Sequence, residues 1–110
     1  MVDIQKLTKL YYTIGEVAKL FDVSTSLLRY WESEFPQINP GKTNKGDRRY
    51  TKKDIQKIKT IYILLKEEGF TIEGAKSAYK KREERDNKLE EIKVKLNTIQ
   101  KEMKKMRNHL

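Results

Sequence analysis

Apolar and polar positions divide this chain into short amphipathic helices, one breaker-rich connection and a long terminal stripe. Ile14, Val17, Ala18 and Phe21 recur at helical spacing and give one buried face. Thr13 precedes them as a cap, and Glu16 three residues later can reach back to it. Tyr12 and Val17 take the positions of a hydrophobic staple around that start. The pattern stops at Asp22-Val23. Ser24 then caps a second helix, predicted to run to about Ser33, with Leu27, Leu28 and Trp31 on its inner side. Two short helices joined this tightly read as a helix-turn-helix.

The stretch from Phe35 to Asp47 holds both prolines, Pro36 and Pro40, together with Gly41 and Gly46. No helix survives that density of breakers. Arg48-Arg49-Tyr50 fits a short strand, which makes this segment a β-hairpin or wing. Thr51 and Asp54 repeat the start signal and open a third helix, with Ile55, Ile58, Ile61, Tyr62 and Leu65 on its apolar face. It is predicted to end near Glu68-Gly69, where glycine suits the residue after the C-cap. Thr71 caps a fourth helix carrying Ile72, Ala75, Ala78 and Tyr79.

Beyond Arg82 there is neither glycine nor proline. Leu89, Ile92, Leu96, Ile99, Met103, Met106 and Leu110 alternate at spacings of three and four, a strict heptad seam. The seam spans roughly 33 Å as a helix. A lone helix with such a stripe is marginal in water and needs a partner. Homodimerisation supplies one; the other reading folds the helix back as core of its own domain, though no second helix of matching length is available. Glu83 to Glu91 nets −3 and Lys93 to Arg107 nets +5, so antiparallel pairing would set acid against base.

Composition narrows the function. In 110 residues, Lys and Arg outnumber Asp and Glu by 25 to 16, a formal net charge of +9. Residues 1–82 carry +7 of this, and the window Lys42 to Lys59 alone carries +6. A basic run is either a solvated face or a phosphate-neutralising surface; its local concentration favours the second. With no cysteine, disulfides, thiolate metal sites and thiol catalysis are excluded. The single histidine, His109, is next to last, which argues against histidine acid–base chemistry. Glu32, Glu34, Glu67 and Glu68 have no His, Cys or phosphate-binding glycine loop beside them and read as solvated helix positions. No catalytic residue, metal site or cofactor is expected. The longest apolar run, Ile61 to Leu65, is far too short to span a membrane, and no signal-peptide core is present. The expected location is the cytoplasm.

Five segments in this order carry a family likeness. They are Tyr12-Thr-Ile-Gly-Glu-Val-Ala18, Leu28-Arg-Tyr-Trp-Glu32, Gly46-Asp-Arg-Arg-Tyr50, Thr51-Lys-Lys-Asp-Ile55 and Lys66-Glu-Glu-Gly-Phe70-Thr-Ile. With them, residues 12–79 resemble the DNA-binding domain of MerR-family transcriptional regulators. Trp31 and Asp47 depart from aromatic residues common in the family at those places. The resemblance implies a mainly α fold: a winged helix-turn-helix over residues 12–82, an N-terminal extension over 1–11, and an antiparallel coiled-coil dimerisation helix over 83–110. It also implies double-stranded DNA as partner, a second copy of the chain, and RNA polymerase as a further candidate. The family's metal and redox sensors use cysteine and its drug sensors add a domain; neither is seen here, so the resemblance does not extend to a classical effector response.

The implied function is a dimeric, sequence-specific regulator at a pseudo-palindromic promoter site. Two rivals are a protein-interaction module such as a MerR-like chaperone modulator, and an architectural or recombination factor. A pure protein binder has no need of the basic window. In a helix-turn-helix the start of the second helix meets base edges. That start offers Ser24, Thr25, Ser26 and Arg29. Ser24 or Thr25 can also hold a phosphate at the helix N-terminus. A guanidinium can bind guanine bidentately, so Arg29 is the base-contact candidate; its rival role is a phosphate contact or an ion pair with Glu32 or Asp22. Tyr30 is a candidate for packing or for a phosphate contact. Arg48 and Arg49 point to opposite sides of an extended segment, one toward the DNA backbone and the other toward solvent or an acid. The resemblance favours Arg49 and Tyr50 for the phosphate. Lys42 and Lys45 add a general attraction, and Thr13 adds a phosphate contact to its capping role.

Overall fold

The computed structural model describes residues 2–109. The chain divides into two compact units, one ending at Lys76 and the other beginning at Ser77.

The first unit starts with a 3-10 turn at Ile4–Lys6, capped by Asp3 and lying against the third helix. Helix α1 (Ile14–Phe21) begins with the expected capping box, in which Thr13 and Glu16 satisfy each other's backbone N–H. Tyr12 and Val17 are both buried, as a staple requires. The α1 C-cap is Asp22, held in the left-handed region at φ 53° and ψ 48°. Asp tolerates this conformation better than most residues. It lets the chain reverse at once into α2 (Thr25–Glu34), capped by Ser24. Leu28 and Trp31 of α2 are buried and Leu27 is partly so.

Strands β1 (Gly41–Lys42) and β2 (Arg48–Arg49) pair antiparallel, Gly41 opposite Arg49 and Lys42 opposite Arg48. Helix α3 (Lys52–Tyr62) opens with a second capping box between Thr51 and Asp54. Ile55, Ile58 and Ile61 enter the core. Tyr62 sits between the two halves of the helix-turn-helix, 5.7 Å from the Phe21 ring and 6.4 Å, edge on, from Trp31. Such pairs contribute about 0.5–1.5 kcal/mol each beyond their burial.

Two expectations are corrected here. After Tyr62 the helix widens into a π-helical turn, Ile63–Glu67. Glu68 N–H reaches back to Ile63 O at 2.8 Å, five residues away. The α-helical phase that aimed Leu65 inward no longer holds, and Leu64 is the fully buried side chain instead. The turn closes at Gly69, whose φ of +73° suits glycine. The fourth and terminal helices are also one: α4 runs from Ile72 to Asn108, since nothing after Gly74 breaks it.

In the second unit residues 83–109 are exposed. The stripe of Leu89, Ile92, Leu96, Ile99, Met103 and Met106 stands open, from 51% exposure at Leu89 to 68% at Met106. Leu110, the last position of the seam, lies outside the described residues.

Candidate nucleic-acid interface

Helix α2 and the wing carry the sequence-predicted residues. Trp31 and Leu28 anchor α2 inward, which turns Ser26, Arg29 and Tyr30 outward. Arg29 is exposed and has no hydrogen-bond or ion-pair partner among the described residues. Its expected rival partner, Glu32, is engaged elsewhere. Ser24 spends its side-chain oxygen on the Leu27 N–H at 3.1 Å, and Thr13 on Glu16 N–H at 3.2 Å. Both hydroxyls stay at the surface. Thr25 is half-buried.

The wing turn is built by Thr43. Its carbonyl accepts from Gly46 N–H at 2.9 Å, and its hydroxyl oxygen accepts from the N–H groups of Lys45 and Asp47. Gly46 sits at φ +88°, which the turn requires. Lys42 and Lys45 are exposed at this tip, without an acidic partner among the described residues.

The two arginines of β2 have opposite fates. The Arg48 Nε donates to Glu32 Oε2 at 2.7 Å, and the Arg48 side chain is only 30% exposed. Arg49 is exposed, with its guanidinium carbon 5.2 Å from the centroid of the Tyr11 ring. Tyr50 is fully buried, and its hydroxyl donates to Glu32 Oε1 at 2.5 Å. Burial, reinforced by this bond, pushes the hydroxyl far above the usual tyrosine range, so it remains a donor. Tyr50 is therefore a core residue in this fold, not the surface phosphate contact the resemblance suggested. Its backbone pairs with Tyr12, and that pairing turns the side chain inward. Arg48 likewise meets an acid, leaving Arg49 as the outward arginine of the strand.

Glu32 is the residue that sequence reading undervalued. Its side chain is 12% exposed, far from a solvated helix position. One carboxylate takes a bond from each of two residues of the wing and so pins the wing to α2, one helical turn after Arg29. Glu34 is also engaged, with Lys76 at 2.8 Å. Tyr11 was the second omission. The signal available was the alternation Tyr11-Tyr12-Thr13 leading into the cap, which marks an extended segment.

The charge is thus redistributed from the sequence count. Arg48 is neutralised by Glu32, and Asp54 is absorbed in the α3 cap, bonded to Thr51. Arg49, Lys42, Lys45, Lys52 and Lys53 remain as exposed cations. Among the described residues no group of acidic or histidine side chains is arranged to hold a metal ion. Among the described residues no helix is long and apolar enough to cross a membrane.

A capped helix pair with an inward Trp31, followed by an antiparallel wing pinned to the second helix, defines a winged helix-turn-helix protein. Its comparisons with known proteins narrow the class. The chain belongs to the MerR family: residues 12–81 match the family described as MerR HTH family regulatory protein. It is 40% identical over 50 residues to the HTH-type transcriptional regulator MlrA of Escherichia coli, covering 46% of this chain and 21% of that protein. It is 35% identical over 63 residues to the HTH-type transcriptional regulator ZntR of Escherichia coli, covering 57% and 44%. The chain thus spans less than half the length of these relatives. Both are transcriptional regulators rather than enzymes. A MerR-family regulator from Bacillus cereus superposes with a TM-score of 0.58 at 26% identity, covering 91% of this chain and 77% of that one. HiNmlR, a MerR-family regulator lacking the sensor domain and solved on promoter DNA, shares the fold with a TM-score of 0.54 at 21% identity. That superposition covers 91% of this chain and 87% of HiNmlR.

Proposed function

We propose that this MerR-family protein is a dimeric, sequence-specific DNA-binding transcriptional regulator. The observation that carries the reading is a pair of exposed arginines without acidic partners, Arg29 on α2 and Arg49 on β2, borne by two elements that Glu32 fastens together. In this reading the start of α2 enters the major groove, where Arg29 meets a guanine edge and Ser24, Thr25 and Ser26 meet neighbouring base edges or phosphate. Arg49, Lys42 and Lys45 take the backbone. Tyr30, 47% exposed, and the Thr13 hydroxyl are further phosphate partners.

The DNA-binding unit occupies residues 12–82 and the dimerisation helix 83–110. Two copies pair through the open stripe from Leu89 to Met106, with Leu110 continuing it. The acidic start and basic end of this segment favour antiparallel pairing. Two copies of α2 then address two half-sites of a pseudo-palindrome in the nucleoid, and RNA polymerase is the further partner at a promoter.

The test is selection of bound genomic fragments at moderate salt, followed by Arg29→Ala and Arg49→Ala. The expected result is a common inverted repeat. Arg29→Ala relaxes preference at one base position, at a cost of about 1–3 kcal/mol. Arg49→Ala weakens all sequences alike and lowers the salt dependence. Fragments with no shared repeat would favour an architectural factor, and no DNA retention at all would favour a protein-binding module.

A further inference from the structure

The wing contact proposed above leaves Tyr11 without a role, although its geometry is specific. Tyr12 and Tyr50 exchange backbone hydrogen bonds in both directions, at 2.8 and 2.9 Å. In such a pair, successive side chains point to opposite faces. Tyr12 and Tyr50 point into the core, so Tyr11 and Arg49 share the outward face. They lie diagonally across the pair, a separation that long and aromatic side chains can bridge. The guanidinium carbon stands 5.2 Å from the ring centroid.

The ring is held from below. Tyr12, next to it, is fixed by its pairing with Tyr50 and accepts the Lys9 N–H on its hydroxyl at 3.0 Å. Lys9 in turn pairs with Glu16 of α1 at 2.5 Å. The segment carrying Tyr11 is therefore tied on both sides of the residue. Arg49 has no other partner: no carboxylate approaches it among the described residues.

A ring and a carboxylate hold an arginine differently. Glu32 accepts from the Nε of Arg48 and so occupies its donor edge. A ring meets the flat face of a guanidinium and leaves the N–H edge free for a bidentate phosphate. It also removes side-chain freedom that Arg49 would otherwise lose on binding. We propose that Tyr11 is a positioning residue for DNA-backbone recognition, its ring holding Arg49 with the N–H edge presented to a phosphate. The proposal rests on the reading of Arg49 as a backbone contact.

The test uses the whole chain and a fluorescent duplex of random sequence, read by anisotropy across a salt series. Tyr11→Leu keeps bulk and charge but removes the ring. It is expected to weaken binding about 2–5-fold for each Arg49–phosphate contact, with no further loss in an Arg49→Ala background. Tyr11→Phe keeps the ring and is expected to bind as the wild type does. If Arg49→Ala leaves affinity unchanged, the backbone reading of Arg49 fails and takes this proposal with it. If Arg49→Ala weakens binding but Tyr11→Leu does not, or weakens it equally in both backgrounds, only the role of Tyr11 fails. A second measurement avoids loss of packing altogether. Ring-current shifts of the Arg49 side-chain protons are expected in the wild type and in Tyr11→Phe, and random-coil positions in both would overturn the proposal.

Discussion

Replacing Glu32 by alanine tests whether one carboxylate holds the wing to α2. The side chain accepts from Arg48 Nε at 2.7 Å and from the Tyr50 hydroxyl at 2.5 Å. Hydrogen bonds to a charged group contribute about 1.5–3 kcal/mol each. The two shares differ because the donors do. Arg48, at 30% exposure, can turn to water, which puts its share at the low end. Tyr50 has no exposed surface, so its hydroxyl becomes a buried donor without an acceptor. Glu32→Ala is therefore expected to cost about 3 kcal/mol. Tyr50→Phe removes the donor, keeps the ring and leaves Glu32 paired with Arg48, at an expected cost of about 1–1.5 kcal/mol. Because both changes break the same bond, the double variant should cost less than the two single costs together, by about 1 kcal/mol. Urea unfolding followed by circular dichroism measures all three, at one protein concentration because association shifts the midpoint. A Glu32→Ala cost below about 0.5 kcal/mol, the level of ordinary surface changes, would refute the reasoning, as would strict additivity.

Trp31→Ala empties the contact with Tyr62 and is expected to cost about 3–5 kcal/mol in the same unfolding assay, enough to leave little folded protein. Thr51→Ala removes one half of the α3 capping box and should cost about 1 kcal/mol. Ile99→Asp places a charge in the middle of the open stripe; if the stripe is the proposed pairing face, light scattering is expected to give a dimer for the wild type and a monomer for the variant. The Lys9–Glu16 pair predicts an acid-sensitive increment of stability. The bond from Lys9 holds the Glu16 carboxyl below its ordinary range, with the Thr13 backbone bond adding to this. A carboxyl depressed in the folded state stabilises above its unfolded pKa and loses that contribution as pH falls through its folded pKa. The melting-temperature difference between the wild type and Glu16→Gln should therefore be present at neutral pH and vanish in strong acid.

Local rules made much of this fold readable from the residues. Both capping boxes, the two-residue turn at Asp22 and the inward Trp31 depend on neighbours within a few positions, so their signals lie side by side in the chain. The strand at Arg48 was legible for the same reason, bracketed by Gly46 and the Thr51 cap. What escaped depends on partners distant in sequence. Glu32 meets residues 16 and 18 positions away, and no periodicity on α2 announces that. Tyr50 looks like a surface aromatic until Tyr12 pairs with it. The π turn after Tyr62 escaped because all of Ile61 to Leu65 is apolar, so the pattern fits several helical phases. In the candidate site, the placing of Arg29 at the start of α2 rested on local position, while the sorting of Arg48 from Arg49 needed the acid across the fold.

The pairing of Tyr12 with Tyr50 also closes a ring in the chain. Everything between them, α1, the turn, α2 and the hairpin, is held at both ends by two backbone hydrogen bonds. Loop-closure entropy opposes such a long ring, but it grows only as the logarithm of length, and two buried tyrosines offset it. A free hairpin frays from its ends; this one has its trailing end stitched to the residue before the first helix cap. Opening the stitch breaks both backbone bonds at once, so the Tyr12 and Tyr50 amides should show one common opening free energy in hydrogen exchange. Those two amides are a built-in reporter of whether the helix-turn-helix and the wing are standing as one piece.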